Sequence, residues 1–377
     1  MEQGEAGPGR RRVTRQVQVG QVPVGGDAPV SVQSMTKTDT RDAAATLAQI
    51  EEVATAGCDI VRVAVPDRTA AAALGDICRG SRLPVVADIH FDYRLALAAL
   101  DQGVHKLRVN PGNIGGRDRV LAVARAAQGR RVPIRVGVNA GSLEPDLLAR
   151  HGAPTAAALV SSALRHVQML EEVGFGDIVV SLKAFDLPTA VAAYREMSRL
   201  RDYPLHVGIT ESGSALAGSV RSAVGIGTLL GEGIGDTIRV SLTGSPVEEV
   251  KVGHEILKAL GLRSAGPVFV SCPTCGRCEI DLLGIEAELR EGLADVRTPI
   301  RVAIMGCVVN GPGEARLADF GLAGGRGAGI IFRHGQVVRR VAEANMVSEL
   351  LQVIRAALAD ETDPSPRPAG APSHAAQ

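Results

Sequence analysis

Hydrophobic and polar positions along the chain form a repeating pattern, in which short apolar runs alternate with longer stretches of mixed character. The runs are rich in Val and Ile and are bounded by turn-forming residues, which is typical of β-strands buried on both faces. Eight of them occur before the pattern changes, at residues 29–35, 59–65, 84–90, 104–110, 133–139, 177–183, 204–210 and 236–242.

The stretches between the runs are rich in Ala and Leu at helical spacing, as in residues 40–57 and 154–174. Strands that alternate with helices form right-handed βαβ units and a parallel sheet. Eight such units over about 250 residues are the size of a TIM barrel. We therefore predict an α/β fold that begins with a TIM (β/α)8 barrel. A doubly wound open sheet is the alternative, but no Rossmann glycine fingerprint follows the first run.

The pattern changes near Pro267. From there the sequence predicts a strand, a cysteine-containing loop, a helix, a second strand, a hairpin and a final amphipathic helix, which together form a small α+β domain. Both chain ends are rich in Pro, Gly, Ala and charge, which favours disorder. The predicted domains are a disordered tail at 1–12, the barrel at 13–266, the α+β domain at 267–360 and a disordered tail at 361–377.

Composition narrows the class of protein. The chain of 377 residues has 41 Lys and Arg against 41 Asp and Glu, and only 2% aromatic residues. A balanced charge with few aromatic side chains argues against a nucleic-acid-binding protein. No apolar run reaches the roughly 18 residues that span a bilayer, and the first twenty residues contain no apolar signal segment. We expect a cytoplasmic protein.

Cations recur near the ends of the predicted barrel strands, where TIM barrels collect their catalytic side chains. A single arginine there is readily explained by a neighbouring carboxylate, but five cations in equivalent places would be costly to bury unpaired. Planar guanidinium groups suit phosphate oxygens, so these positions predict a site for a small phosphate or diphosphate ester. The five cations are Arg62, Arg108, Arg135, Lys183 and Arg239.

Neutral and acidic groups accompany the cations. Asn139 and Ser241 lie at the ends of the runs that contain Arg135 and Arg239, and Asp88, His90 and Glu211 lie at the ends of two others. Carboxylates and imidazoles can bind substrate hydroxyls or transfer protons. A purely structural role for His90 is equally consistent with the sequence.

Four of the six cysteines are crowded into residues 272–307, as Cys272, Cys275 and Cys278 in CPTCGRC and Cys307 further on. Disulfides are not expected in a cytoplasmic chain of this size. Four thiolates at such spacing hold either zinc or an iron–sulfur cluster. The spacing favours a cluster without excluding zinc.

Two ligand sets are possible for a cluster. Four cysteine ligands would close it and limit it to electron transfer. With three cysteines, Glu314 could provide a weaker and exchangeable fourth ligand, since it lies on a Gly-Pro turn seven residues after Cys307. An open iron could then act as a Lewis acid toward a substrate oxygen.

Several long sequence motifs resemble those of a known family. SCPTCGR and GCVVNGPGEA, with the barrel motifs ADIHFDYRLAL, KLRVNPGNIG, RVGVNAGSL, HVGITESG and RVSLTG, closely resemble the 4-hydroxy-3-methylbut-2-en-1-yl diphosphate synthase family. The motifs occur in order from about residue 13 to about residue 358.

The resemblance implies an oxidoreductase of isoprenoid precursor biosynthesis, in the methylerythritol phosphate pathway. Its substrate would be 2-C-methyl-D-erythritol 2,4-cyclodiphosphate, opened and dehydroxylated with two electrons and protons to 4-hydroxy-3-methylbut-2-enyl diphosphate. Reduced flavodoxin or ferredoxin would supply the electrons. The active protein would be a homodimer that shares each active site between the barrel of one subunit and the cluster domain of the other.

The resemblance also implies roles for individual residues. A [4Fe-4S] cluster would be held by Cys272, Cys275, Cys307 and Glu314, and Glu314 would also assist proton transfer. Asp88, His90 and Glu211 fall on positions near the hydroxylated carbons of the substrate. The positions that bind diphosphate correspond to Arg62, Arg108, Arg135, Asn139, Lys183, Arg239 and Ser241.

One cysteine departs from the family pattern, because Cys278 is additional to the motif. It could compete with Glu314 for iron, or it could be a helix residue that points away, which we favour because Glu314 and its turn are retained. Two alternatives to the synthase remain at this point: a ferredoxin-like electron carrier with a four-cysteine cluster fused to a phosphate-binding barrel, and a zinc-stabilised barrel without redox function.

Overall fold

The computed structural model describes residues 11–110, 114–210, 213–263, 266–307 and 318–362. The chain divides into two compact units, Met1–Arg263 and Ser264–Gln377. The predicted tails lie largely or wholly outside the described residues, as do Glu211 and Glu314.

The first unit contains the repeating strand–helix pattern that the sequence predicts. Its strands are β1 (Val17–Val19), β2 (Val22–Val24), β3 (Ser31–Met35), β4 (Ile60–Val65), β5 (Val85–Ile89), β6 (Lys106–Val109), β7 (Ile134–Asn139), β8 (Ile178–Lys183), β9 (His206–Val207) and β10 (Thr237–Ile238). Its α-helices are α1 (Ala43–Thr55), α2 (Arg68–Gly80), α3 (Tyr93–Asp101), α4 (Arg117–Arg130), α5 (Pro145–His151), α6 (Ala156–Glu171), α7 (Leu187–Leu200), α8 (Ala215–Gly231) and α9 (Pro246–Ala259).

Strands β3 to β10 form one parallel sheet in the order β8-β7-β6-β5-β4-β3-β10-β9. Its two edges meet where Val180 of β8 bridges Leu205, immediately before β9. The sheet is therefore a (β/α)8 barrel, which confirms the fold predicted from eight apolar runs. The last two strands are shorter than their runs, with two residues each in the ladder.

Helix N-caps determine where several βα loops end. Asp42, Asp67 and Asp186 each accept a hydrogen bond from the backbone N–H three residues on, at 2.9 Å in each case. Such caps satisfy N–H groups that have no partner within the helix. The loops that carry the strand-end residues are thereby anchored to helices on their far side.

A hairpin that the hydrophobic pattern did not reveal lies near the start of the chain. Strands β1 and β2 pair antiparallel, and Val19 and Val24 pack against Ile60 and Val86 of the barrel strands. Ile60 begins β4 and Val86 lies early in β5, so the hairpin covers the amino-terminal end of the barrel with apolar side chains.

The second unit contains β11 (Val268–Ser271), α10 (Leu282–Gly292), β12 (Arg301–Met305), β13 (Phe320–Gly325), β14 (Ala328–Arg333), β15 (Gln336–Ala342) and α11 (Met346–Thr362). The five strands form one sheet in chain order, with β11, β12 and β13 parallel and β14 and β15 antiparallel. Leu289 of α10 and Leu350 of α11 share a core with Ile304 and Leu322 of the sheet. Among the described residues, no helix is both long and apolar enough to cross a membrane.

Candidate active site

The carboxyl-terminal ends of the barrel strands enclose a polar cavity of about 150 Å³, which we call the anion site. Every described residue that the sequence analysis assigned to the barrel site lines it, together with two more hydroxyl groups. The lining residues are Arg62, Asp88, His90, Arg108, Arg135, Asn139, Ser181, Lys183, Thr210, Arg239 and Ser241.

Asp88 is the acidic centre of the anion site. Arg108 Nη1 donates to Asp88 Oδ1 at 3.0 Å, and Arg62 Nε lies 3.7 Å from Oδ2. Arg108 Nη1 also lies 2.7 Å from His90 Nε2. Burial alone would raise the pKa of Asp88, but the charge of Arg62, the hydrogen bond from His90 and the charge of Arg108 hold it well below its usual range. Asp88 is therefore a carboxylate at neutral pH that orients two arginines.

Arg135 is fully buried and has no such partner. Among the described residues, nothing accepts a hydrogen bond from its Nε, Nη1 or Nη2 atoms. Burial, and then the charges of Arg62 and Arg108, lower its pKa well below the ordinary value. An unsatisfied buried guanidinium is unfavourable, so Arg135 needs an anionic ligand more than any other lining residue does.

Lys183, which is buried, and Arg239, which is partly buried, are two further cations of the site. Burial, and then the charge of Arg239, lower the pKa of Lys183 well below its ordinary value. Arg239 Nη2 lies 3.7 Å from Oε2 of the buried Glu249. The carboxylate of Glu249 is itself held by Ser34 Oγ at 3.1 Å and by the backbone N–H of Leu242 at 3.0 Å. Glu249 therefore supports Arg239 from outside the cavity.

Two glycines make room for these cations. A Cβ atom at Gly137 would lie 2.6 Å from Arg108 Nε, and one at Gly208 would lie 3.1 Å from Lys183 Nζ and 2.6 Å from the Arg239 carbonyl oxygen. The two distances of 2.6 Å are too short for a real side chain, and the distance of 3.1 Å would force Lys183 to shift. Glycine at both positions therefore lets the cations keep these places.

The described lining contains five cations and one carboxylate, Asp88. Cations held in a shaped cavity of low dielectric attract anions strongly. Neighbouring Arg and Lys groups that converge on one small volume suit a ligand with several negative oxygens. The site is therefore built for a small polyanion such as a diphosphate.

A second cavity of about 440 Å³ adjoins the anion site at the same end of the barrel. It shares His90, Asn139 and Thr210 with the anion site, and its remaining lining is neutral. Asn110 Nδ2 donates to Ser142 Oγ at 2.8 Å on its wall. A ligand with an anionic part and a neutral hydroxylated part matches this pair of cavities.

One buried cation of the barrel interior, Lys106, was not predicted from sequence, and it lies there with the buried His206. Lys106 lies two residues before Arg108 on β6, so the two side chains share one face of the strand. His206 begins β9, and neither ring nitrogen has a partner among the described residues. The alternation of charged residues in KLRV was the signal available for Lys106.

The described cysteines of the second unit lie at the carboxyl ends of two adjacent parallel strands. Ser271 of β11 pairs in register with Ile304 of β12, so Cys272 and Cys307 follow neighbouring strand ends. Gly306 N–H donates to Cys272 Sγ at 3.2 Å. We call this region, with Cys275 and Cys278, the cysteine corner. No group of three or more potential ligands is close enough to hold a metal among the residues described there and elsewhere.

The chemistry of this donor set nevertheless suits an iron–sulfur cluster. Thiolates are the usual ligands of such clusters, and N–H···S hydrogen bonds like that of Gly306 tune them. Metal-binding loops commonly reach their final arrangement only when the metal binds.

Cys278 lies on the loop before α10 and not on a helix, contrary to the interpretation favoured from sequence. Its Sγ donates to the Ile280 carbonyl oxygen at 3.3 Å. A Cβ atom at Gly306 would collide with this sulfur. The thiol therefore packs against Gly306, next to Cys307, and does not point away from the cysteine corner.

The fold and the anion site define a class of protein: a (β/α)8 barrel that binds a small polyanion, followed by an α+β unit with clustered cysteines. Family comparison is more specific. The GcpE TIM-barrel domain matches residues 14–254, and the GcpE protein C-terminal domain matches residues 268–356. The chain belongs to the GcpE family, as the sequence motifs predict.

Curated relatives agree with this assignment. The 4-hydroxy-3-methylbut-2-en-1-yl diphosphate synthase (flavodoxin) of Geobacter sulfurreducens is 61% identical over 348 residues, which cover 92% of this chain and 99% of that protein. The enzyme of the same name from Clostridium perfringens is 56% identical over 344 residues, covering 91% of this chain and 99% of that protein.

Proposed function

We propose that the chain is an oxidoreductase that opens 2-C-methyl-D-erythritol 2,4-cyclodiphosphate and removes one hydroxyl group as water. The product is 4-hydroxy-3-methylbut-2-enyl diphosphate, an isoprenoid precursor. The observation that carries this proposal is the anion site, in which the buried and unpartnered guanidinium of Arg135 faces a cavity of matching size. The names of relatives that match nearly the whole chain support the same reaction.

Different lining residues are proposed to bind different parts of the substrate. We assign the diphosphate to the cations of the anion site and to Asn139 and Ser241. Asp88 stays ionised, so it can accept a hydrogen bond from a substrate hydroxyl while it orients Arg62 and Arg108. His90 borders both cavities, which suits a role beside the hydroxylated carbons, and we propose the same role for Glu211.

The proposed cofactor is a [4Fe-4S] cluster held by Cys272, Cys275, Cys307 and Glu314. When bound, the cluster would supply electrons and an iron able to polarise a substrate oxygen. The N–H of Gly306 would stabilise the Cys272 thiolate by the hydrogen bond it already donates. Cys278 has a different hydrogen-bond partner, the Ile280 carbonyl, which supports a role outside the ligand set.

The proposal extends to partners and domains. Reduced flavodoxin is the expected electron donor, in keeping with the names of the relatives, and ferredoxin is the alternative. We propose the barrel at 13–266 as substrate domain and residues 267–360 as iron–sulfur domain, in a homodimer whose active site combines the two from different subunits. A cytoplasmic location stays a prediction.

The test is turnover by the full-length protein, purified and reconstituted without oxygen and supplied with the cyclodiphosphate and reduced flavodoxin. We expect formation of the linear diphosphate and about four irons per chain. In Glu314→Ala, we expect most turnover to be lost while the iron largely remains. An electron carrier with four cysteine ligands would be indifferent to that substitution, and a colourless zinc protein would contradict both hypotheses.

A further inference from the structure

Lys106 is a buried cation that the reaction described above does not use. It is 0% exposed, and Nζ has one hydrogen bond, to Gln33 Oε1 at 3.3 Å. Among the described residues, no carboxylate lies within ion-pair distance of it. A buried ammonium group without a counter-charge is costly, so its presence calls for an explanation.

The position of Lys106 relates it to the anion site. It shares a strand face with Arg108 but lies two residues nearer the amino-terminal end, roughly 7 Å deeper along β6. It does not line the cavity, whereas Arg108 and Arg135 do. Its neighbour in register on β5 is Val86, which packs against the apolar hairpin at the amino-terminal end of the barrel.

The charged groups that face Lys106 are cationic or neutral. Burial, and then the charges of Arg135 and Arg62, lower its pKa well below the ordinary value. Burial, and then the charges of Arg135, Lys183 and Lys106, lower the pKa of His206. Apolar side chains exclude water on the side away from the cavity, so the electrostatic field of a charged Lys106 reaches the cavity with little screening.

We propose that Lys106 is a positioning residue of the anion site, which strengthens phosphate binding electrostatically from behind Arg135 without touching the ligand. The inference rests on the proposed diphosphate site. It assigns a role in that site to a residue that lies deeper in the barrel than the residues that contact the ligand. The negative charge of a bound ligand favours the protonated form of Lys106. Ligand binding is therefore coupled to proton uptake in the barrel interior.

The test is calorimetric titration of the full-length protein with inorganic pyrophosphate, in buffers of different ionisation enthalpy, which yields both Kd and the number of protons taken up. In Lys106→Met we expect Kd to rise about tenfold and proton uptake to fall. Lys251→Met is the matched control, since Lys251 is an exposed lysine on α9 paired with Glu248. It should leave both quantities unchanged.

Gln33→Glu provides a second variant that keeps Lys106 and nearly the same shape. The new carboxylate would keep Lys106 protonated in the free protein, so we expect proton uptake on pyrophosphate binding to fall, whereas a packing role would leave proton uptake unchanged. Wild-type affinity and proton uptake in either folded variant would overturn the role of Lys106 alone. A wild-type protein that does not bind pyrophosphate would overturn the anion site and this inference together.

Discussion

The anion site and the cysteine corner place their functional groups on different kinds of support. In the barrel, Arg62, Arg108 and Arg135 project from buried strands and are less than 10% exposed. In the second unit, Cys275 is exposed, and Cys272 and Cys278 are half-buried on a loop. Strands packed on both faces hold side chains more rigidly than loops do.

The anion site and the cysteine corner also differ in their electrostatics. The anion site concentrates more positive charge than Asp88 and Glu249 neutralise, and burying that excess charge is unfavourable without an anionic ligand. In the cysteine corner, Cys272 and Cys278 pack with apolar neighbours in the core of the second unit. The barrel is thus preorganised for its ligand, whereas the cysteine corner is expected to be completed by its cofactor.

The largest effect should follow from removing a cluster ligand. In Cys307→Ser we expect loss of most bound iron and a fall in turnover of at least about 100-fold. Iron and sulfide content and turnover with reduced flavodoxin check this. The same variant should bind pyrophosphate as the wild type does, and a parallel loss of pyrophosphate affinity would show that the two sites are not independent.

Arg135→Met should weaken ligand binding without lowering thermal stability. Losing a charge-assisted contact to phosphate should raise the substrate Kd by about 10- to 100-fold. Because the guanidinium is buried without a partner, its replacement by an apolar side chain should leave Tm unchanged or raise it. Calorimetric titration and thermal unfolding measure the two effects. Arg79→Met, at an exposed position on α2, is the control, and a large drop in Tm for Arg135→Met would contradict the account.

The affinity of the anion site should depend on pH because of Lys183. Burial lowers the pKa of Lys183 in the free protein, and the ligand binds the protonated form better. Pyrophosphate affinity should therefore fall as pH rises through a range below that in which an ordinary lysine titrates. In Lys183→Arg the fall should move to higher pH, since a guanidinium keeps its charge. Equal pH profiles would exclude Lys183 as the titrating group.

The smallest effect is expected for Cys278→Ser. Its thiol donates to a backbone carbonyl and packs against Gly306, and a serine hydroxyl can make the same hydrogen bond. We expect iron content and turnover within about twofold of the wild type. Loss of the cluster in this variant would indicate that Cys278 is a cluster ligand and would support the four-cysteine hypothesis.

The sequence predicted most of the barrel because its strands are long, apolar and separated by helices of clear periodicity. The residues that we predicted from the strand ends, apart from Glu211, which lies outside the described residues, all line the anion site. The β1–β2 hairpin was missed, since strands of three residues have too few positions to show a period. Lys106 was missed because burial of a lysine is rare and depends on the tertiary structure beneath it.

Predictions for the second unit were less complete. The order of strands and helices was foreseen, except that the predicted hairpin continues into a third antiparallel strand, β15. Cys278 was expected on a helix, but α10 begins only at Leu282. Spacing between cysteines does not determine where each sulfur points, because loop backbone has no fixed period.

The most direct test of the central claim, that the barrel forms its anion site without help from the cofactor, is titration of the cyclodiphosphate into iron-free and iron-loaded full-length protein. The account predicts Kd values within about tenfold of each other and turnover only in the loaded protein. Loss of all detectable binding on removal of iron, with the barrel still folded, would contradict it.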